Sequence, residues 1–251
     1  MSVKSAVRVI EIFELLSQYP EGLTLKEISD ELSFPQSSTF NLVQTLSGRG
    51  YLIQTSQKKY KLGPKLIHIG SNAMDSLDVQ TEGDAYLRRL MENVQETVFM
   101  AVLSQDELVY VSKLEFNRSI RTGAKIGSRM PLYCTGLGKA FLAFLPEGES
   151  EVLISGMELR KVTENTITSF GDLRSQLKDF KAMGYSIDDE ENEEGLYCVA
   201  APVYNSKNEM AAAISVAGPK VRMFPKKEEI AMKLVETSKH ISESLGYRGS
   251  F

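Results

Sequence analysis

The sequence predicts an α+β chain of two domains, a small helical one closed by a β-hairpin and a larger one built on an antiparallel sheet. Three observations carry this. At 251 residues the chain exceeds a usual single domain of about 100–200 residues. Apolar residues recur at helical spacing through most of the first 48 positions, then at period two in several later stretches. The charge is also divided. Residues 1–74 hold eight Lys/Arg against six Asp/Glu, a balance of +2, and the rest hold 21 against 27, or −6, so the formal net charge of −4 averages two unlike modules. With 42% hydrophobic and 25% charged residues, the composition is globular rather than disordered.

The first helix is expected over residues 5–18, where Val9, Ile12, Phe13 and Leu16 share a face and Pro20-Glu21-Gly22 ends it. Thr24-Leu25-Lys26-Glu27 reads as a capping box opening a short second helix to about Leu32, with Leu25, Ile28 and Leu32 inward. Pro35 fits the first position of a third helix, whose core side is Leu42, Val43 and Leu46 and whose end is marked by Gly48 and Gly50. Two short helices joined by a tight turn form a helix-turn-helix, and the second places its side chains in the major groove of DNA. Its outer side carries Gln36, Ser37, Ser38, Asn41, Gln44 and Thr45, donors and acceptors suited to base edges and phosphates. Residues 51–54 and 59–62 alternate as the strands of a hairpin around Thr55-Ser56-Gln57-Lys58, a basic wing. No acidic residue falls between Glu31 and Asp75, whereas Arg49, Lys58, Lys59, Lys61 and Lys65 do. Helical hairpins without DNA function are common; the wing and the missing acids decide for DNA. The residues expected to meet it are Gln36, Ser37, Ser38, Asn41, Gln44, Arg49, Lys58 and Lys59.

Gly63-Pro64 breaks the hairpin, and residues 65–76 resume helical spacing through Leu66 and Ile69 as a linker helix. The expected division is 1–64, a linker over 65–78, and 79–251. In the last part a helix ends near Asn93, strands fit 97–103 and 107–114, and helices fit 139–145, 147–155, 172–183 and 226–245. Further strands fit 185–188, 197–204 and 210–217. Strands mixed with flanking helices indicate an antiparallel α+β sensor rather than a doubly wound nucleotide fold.

Several chemistries drop out. Two cysteines and two histidines supply neither a disulfide framework nor a spaced metal cluster, so no cofactor or metal is expected. Gly136-Leu137-Gly138-Lys139-Ala140 fails as a phosphate loop, because Tyr133 stands where the first glycine belongs and Ala140 has no hydroxyl; Phe141 spoils the dinucleotide pattern. What survives there is a glycine-rich helix start with N–H groups open to a carboxylate. No signature joins His68 or His240 to Cys198 as a catalytic pair, so an enzyme is not expected. The run from Asp188 to Glu194 reads as a solvated acidic loop, with cation binding as the alternative although the glycine and spacing of a calcium loop are missing. The N-terminus lacks the apolar stretch of a signal peptide and no run approaches 18 apolar residues, which points to the cytoplasm.

Three blocks, in this order, resemble the IclR family of bacterial transcriptional regulators across almost the whole chain: Leu23 to Ile28 through Gly50-Tyr51-Leu52; Met130-Pro131-Leu132-Tyr133-Cys134-Thr135-Gly136-Leu137-Gly138-Lys139-Ala140; and Asp188-Asp189-Glu190-Glu191 with Gly195-Leu196-Tyr197-Cys198-Val199-Ala200-Ala201-Pro202-Val203. Ile214-Ser215-Val216-Ala217-Gly218-Pro219 closes the set. The resemblance implies a winged helix-turn-helix joined to a GAF-like effector domain, acting as a homodimer or dimer of dimers on pseudo-palindromic operators. It implies an effector pocket lined by Met130, Thr135, Gly136, Leu137, Asp188, Leu196, Cys198, Ser215 and Ala217. Period two supports part of this independently, since Cys198 shares a face with Leu196 and Ala200, and Ser215 with Ala213 and Ala217. The chain departs where the family often has a serine, at Ala217, and where its third helix often has His-Arg, at Phe40-Asn41. The expected function is a DNA-binding regulator, a repressor rather than an activator, controlled by a small organic acid such as a sugar or aromatic acid of a carbon-catabolic pathway. The alternative is an enzyme or ligand-binding signalling protein that acts through the second domain without DNA.

Overall fold

A computed structural model describes residues 3–69, 78–117 and 123–249. The chain divides into two compact units, Met1–Ser76 and Leu77–Phe251. In the first, helix α1 (Lys4–Ser17) buries Ile12 and Leu16. Helix α2 (Leu25–Glu31) opens on the expected capping box: Thr24 Oγ1 accepts the Glu27 N–H at 3.3 Å, and the Glu27 carboxylate accepts the Thr24 N–H at 2.7 Å. Helix α3 (Gln36–Gly48) buries Thr39, Val43 and Leu46. Pro35, expected as its first residue, is instead its N-cap; its ψ of 130° is extended, and its carbonyl accepts the first helical bond from Thr39 N–H at 3.0 Å. Gly50, at φ +78°, turns the chain out of the helix.

The wing is a three-stranded sheet. Strand β1 (Leu23–Thr24) joins the expected hairpin of β2 (Leu52–Gln54) and β3 (Lys59–Leu62) in the order β1-β3-β2. Two residues are too few to show a period, so β1 is invisible in the sequence. Tyr60 and Leu52 point into the core shared with the three helices. Residues 65–69 are helical, and the remainder of the expected linker helix, 70–76, lies outside the described residues.

The second unit is a six-stranded antiparallel sheet between two helical layers. Its elements are α4 (Val79–Val94), β4 (Thr97–Ser104), β5 (Glu107–Leu114), β6 (Arg129–Met130), α5 (Gly136–Phe144), α6 (Glu147–Ser155), α7 (Phe170–Met183), β7 (Ser186–Asp189), β8 (Leu196–Tyr204), β9 (Met210–Pro219), the short α8 (Lys220–Met223) and α9 (Lys227–Ser244). The strands lie in the order β6-β5-β4-β9-β8-β7. Alternation of side chains splits the core in two. Val98, Met100, Val199, Ala201, Ile214 and Val216 face α4 and α9, where Leu87, Leu90, Leu234 and Ile241 meet them. Phe99, Ala101, Tyr110, Cys198, Ala200, Ala213 and Ala217 face α5 to α7, meeting Leu137, Phe141, Leu153, Leu177 and Phe180. The second face is the one with small residues, and that is where space is left.

Among the described residues no helix is long and apolar enough to cross a membrane.

Candidate functional site

Register places the side chains of this second face in rows. Asp188 pairs with Cys198, Cys198 with Ala217 and Ala217 with Thr97; in the next row Ser186 pairs with Ala200, Ala200 with Ser215 and Ser215 with Phe99. Across these rows lies the start of α5. Thr135 caps it, its hydroxyl accepting the Gly138 N–H at 3.2 Å and donating to the Pro131 carbonyl at 2.7 Å. The two glycines are there because the helix comes too close for anything larger. A Cβ on Gly136 would stand 2.7 Å from Cys198 Sγ, and one on Gly138 would stand 2.4 Å from the backbone of Leu132.

Between the helix start and the sheet is a cavity of about 300 Å³. All nine residues expected around an effector line it: Met130, Thr135, Gly136, Leu137, Asp188, Leu196, Cys198, Ser215 and Ala217. They come from five separate stretches of chain. Phe99 and Tyr110 add an aromatic wall, their rings 5.0 Å apart, and Ser128, Asn192 and Glu193 add polar atoms. Phe99 was not singled out, because its place opposite Ser215 is set by the register of two distant strands; Asn192 and Glu193 were not singled out either, because the acidic run that carries them has no periodicity to say which of its side chains face the cavity.

The polar groups of the cavity are held in unusual states. Asp188 is buried, and its Oδ1 accepts the N–H groups of Glu191 and Asn192 at 2.8 and 3.4 Å. Burial raises its carboxyl to about 7, against the pull of Lys139 and those two N–H groups. Burial likewise pushes the Cys198 thiol up to about 12, with the Asp188 charge adding to it and the Ser215 hydroxyl, Lys139 and the Gly136 N–H offsetting part. Burial and the Asp188 charge take Cys134 to about 12 as well. Neither thiol has the thiolate character of a nucleophile, and His240 packs against Tyr86 at 6.2 Å in the opposite helical layer. Ser215 Oγ is buried and makes no well-formed hydrogen bond among the described residues.

The acidic run corrects the sequence reading in part. Glu193 and Glu194 are exposed, but Asp188 and Glu191 are both buried. Lys139, wholly buried, donates to the Glu191 carboxylate and to Gln176 Oε1 at 3.1 Å, while Gln176 Nε2 donates to Glu191 at 3.2 Å. Thr163 and Thr166 donate to the carbonyls of Glu190 and Glu191, each at 2.6 Å, and Lys220 pairs with Asp189 and Glu190. The loop is therefore pinned against the cavity from behind.

In the first unit, Gln36, Ser37, Asn41 and Gln44 lie exposed on α3, and Arg49 and Lys58 are exposed at its end and at the wing turn. Lys58 occupies that turn at φ +60°. Two expected residues are less open. Ser38 is partly buried and accepts from Arg8 at 3.0 Å, and Arg8 also lies over the Phe34 ring at 5.0 Å. Lys59 is partly buried opposite Thr24, close enough to Glu27 to help lower its carboxyl, after the larger effect of the Thr24 hydrogen bonds. Gln44 donates to the Tyr60 hydroxyl at 3.3 Å, which ties α3 to β3. Arg8 escaped notice in the sequence because its partners are 26 and 30 residues away.

Comparisons with known proteins agree across both units. The family described as bacterial transcriptional regulator IclR, C-terminal, matches residues 71–243, and the IclR helix-turn-helix domain matches residues 5–56. The chain is 32% identical over 249 residues to the HTH-type transcriptional regulator KdgR of Escherichia coli K12, covering 98% of this chain and 94% of that protein. It is 36% identical over 243 residues to the HTH-type transcriptional repressor AllR of Klebsiella pneumoniae, covering 96% and 89%. Among solved structures, the Agobacterium tumefaciens repressor BlcR aligns with a TM-score of 0.88 at 25% identity, over 99% of both chains. Pseudomonas aeruginosa HmgR aligns at 0.84 and 26%, over 99% of this chain and all of that one.

Proposed function

The chain belongs to the IclR family of bacterial transcriptional regulators, and from that premise we propose that it is a cytoplasmic repressor, a homodimer or dimer of dimers, released or engaged by a small organic acid. Residues 1–64 hold operator DNA, 65–78 link, and 79–251 bind the acid. The exposed amides and hydroxyls of Gln36, Ser37, Asn41 and Gln44 meet base edges, and Arg49 and Lys58 meet phosphates. Lys59 adds less, with Glu27 beside it. Repression follows the description of AllR and BlcR as repressors.

One observation carries the effector reading: nine residues from five stretches converge on one small cavity that contains the start of α5 and, at Ser215, a buried hydroxyl with no well-formed hydrogen bond among the described residues. N–H groups of a first helical turn have no acceptor within the helix and favour negative charge. A carboxylate there, with hydroxyls toward Asp188 and Ser215, fits a sugar acid; the Phe99 and Tyr110 wall fits an aromatic acid. Thermal shift with gluconate and with benzoate tests it, since a ligand of the native state raises its melting temperature. We expect one of the two to stabilise the wild type and to lose its effect in Ser215→Ala. No shift with either, or an equal shift in the variant, overturns the effector reading. Unchanged binding to upstream DNA from 50 to 200 mM salt would overturn the phosphate contacts, because counterion release makes such binding steeply salt-dependent.

A further inference from the structure

The outward side of α3 is polar except at one place. Phe40 is 48% exposed, outside the core cluster of its unit, on the row that runs Gln36, Phe40, Gln44 along the helix at four-residue spacing. Its neighbours in sequence, Thr39 and Asn41, are respectively buried and exposed, so the ring stands on the shoulder between the core side and the polar side. It is not among the apolar residues packed against the core that Val43 and Leu46 help to form. Yet the helix around it is held stiffly: Arg8 fixes the first turn through Ser38, and Tyr60 fixes the third through Gln44.

On the edges of base pairs in the major groove the available groups are hydrogen-bond donors and acceptors, with a single apolar exception, the C5-methyl of thymine. An apolar side chain carried into that groove by a rigid helix therefore has one complementary target. The glutamine amides one turn before and one turn after carry the donor and acceptor that adenine requires, Gln44 with its second amide hydrogen because the first is donated to the Tyr60 hydroxyl. We propose that Phe40 is a specificity residue that reads a thymine methyl, so that the row Gln36-Phe40-Gln44 selects a half-site in which an A·T pair with its thymine under the ring is flanked by further A·T pairs. This rests on α3 being the helix that enters the groove.

Selection of bound sequences from a random duplex pool by the full-length protein tests it, run with the wild type, Phe40→Ala and Asn41→Ala. Wild type is expected to enrich thymine at a fixed position of each half-site, and Phe40→Ala to lose that preference alone. In a selected duplex, replacing that dT by dU removes only the methyl and leaves the protein untouched. Wild-type affinity should fall about fourfold, the worth of one buried methyl-sized group, and Phe40→Ala should bind both duplexes alike. Equal wild-type affinity for dT and dU, or a uniform loss across all sequences in Phe40→Ala, overturns the proposal. Enrichment that responds to Asn41→Ala but not to Phe40→Ala overturns it while leaving α3 in the groove. No enrichment that depends on either residue overturns the placement of α3 itself.

Discussion

Lys139 and Glu191 show how a residue's meaning depends on what folds against it. They are 52 positions apart, one in a glycine-rich segment and one in an acidic run, and the structure buries both with Gln176 as a third partner. Removing one member of such a pair strands a charge, whereas replacing both by apolar groups does not. Lys139→Met should therefore cost about 3–5 kcal/mol, and Lys139→Met with Glu191→Met distinctly less. Denaturant titration of the three proteins checks this; a double variant as unstable as the single one refutes the compensation. Asp188 predicts a pH effect. Its folded-state value of about 7 lies above the ordinary 3.8, so the stability it contributes is complete below about pH 4 and is lost as the pH rises through about 7. Melting temperature should decline over that window, and Asp188→Asn, which can still accept the two loop N–H groups, should decline less. Parallel curves for wild type and variant would show that the carboxyl titrates normally. The acidity of the run was legible in the sequence. Its burial was not, because nothing local announces a buried lysine fifty residues upstream.

At the scale of elements, the longer helices and strands were legible because their apolar periods repeat often enough to be counted. Helix α6 over Glu147–Ser155 and strand β5 over Glu107–Leu114 match their expected bounds. The two-residue strands β1 and β6 were not, since they exist only through the partners they pair with, β3 and β5. Apolar spacing alone put the start of α5 at Lys139, while the glycine-rich segment before it was read as a helix start, and the helix begins at Gly136; the two readings differ because glycines are poor helix formers and the reason for them is a close approach between elements. That reason is testable. The Cβ of Gly138→Ala would collide with main chain at Leu132, which cannot step aside, so this variant should misfold or lose several degrees of stability. Gly136→Ala meets side chain instead of main chain, chiefly Cys198 Sγ at 2.7 Å; it should fold, as judged by circular dichroism, but abolish the stabilisation by gluconate or benzoate. If both variants fold and bind alike, the close approach is not what requires the glycines.

For the whole molecule, the division of charge matters more than its total. The chain's −4 is the sum of a +2 part that carries the wing and a −6 part that carries the cavity, so an acidic protein can still meet a polyanion locally. Lys58 is the exposed cation at the wing turn, and Lys58→Ala should reduce the slope of log affinity against log salt by about 1 without changing which sequence is preferred; an unchanged slope would place the wing away from the phosphates. The row of paired residues from Asp188 through Cys198 and Ala217 to Thr97 has a wider implication. Slipping any of these strands by one position would turn its cavity side chains into the opposite core. The binding site therefore shares its error-checking with folding: a sheet assembled in the wrong register buries the wrong residues on both faces at once, and a sheet assembled correctly has already built the cavity. On the sheet side of the cavity, new ligand preferences can be installed by exchanging side chains on existing rungs without touching the register, and Ala217, a bare methyl beside Cys198, lines the cavity on such a rung.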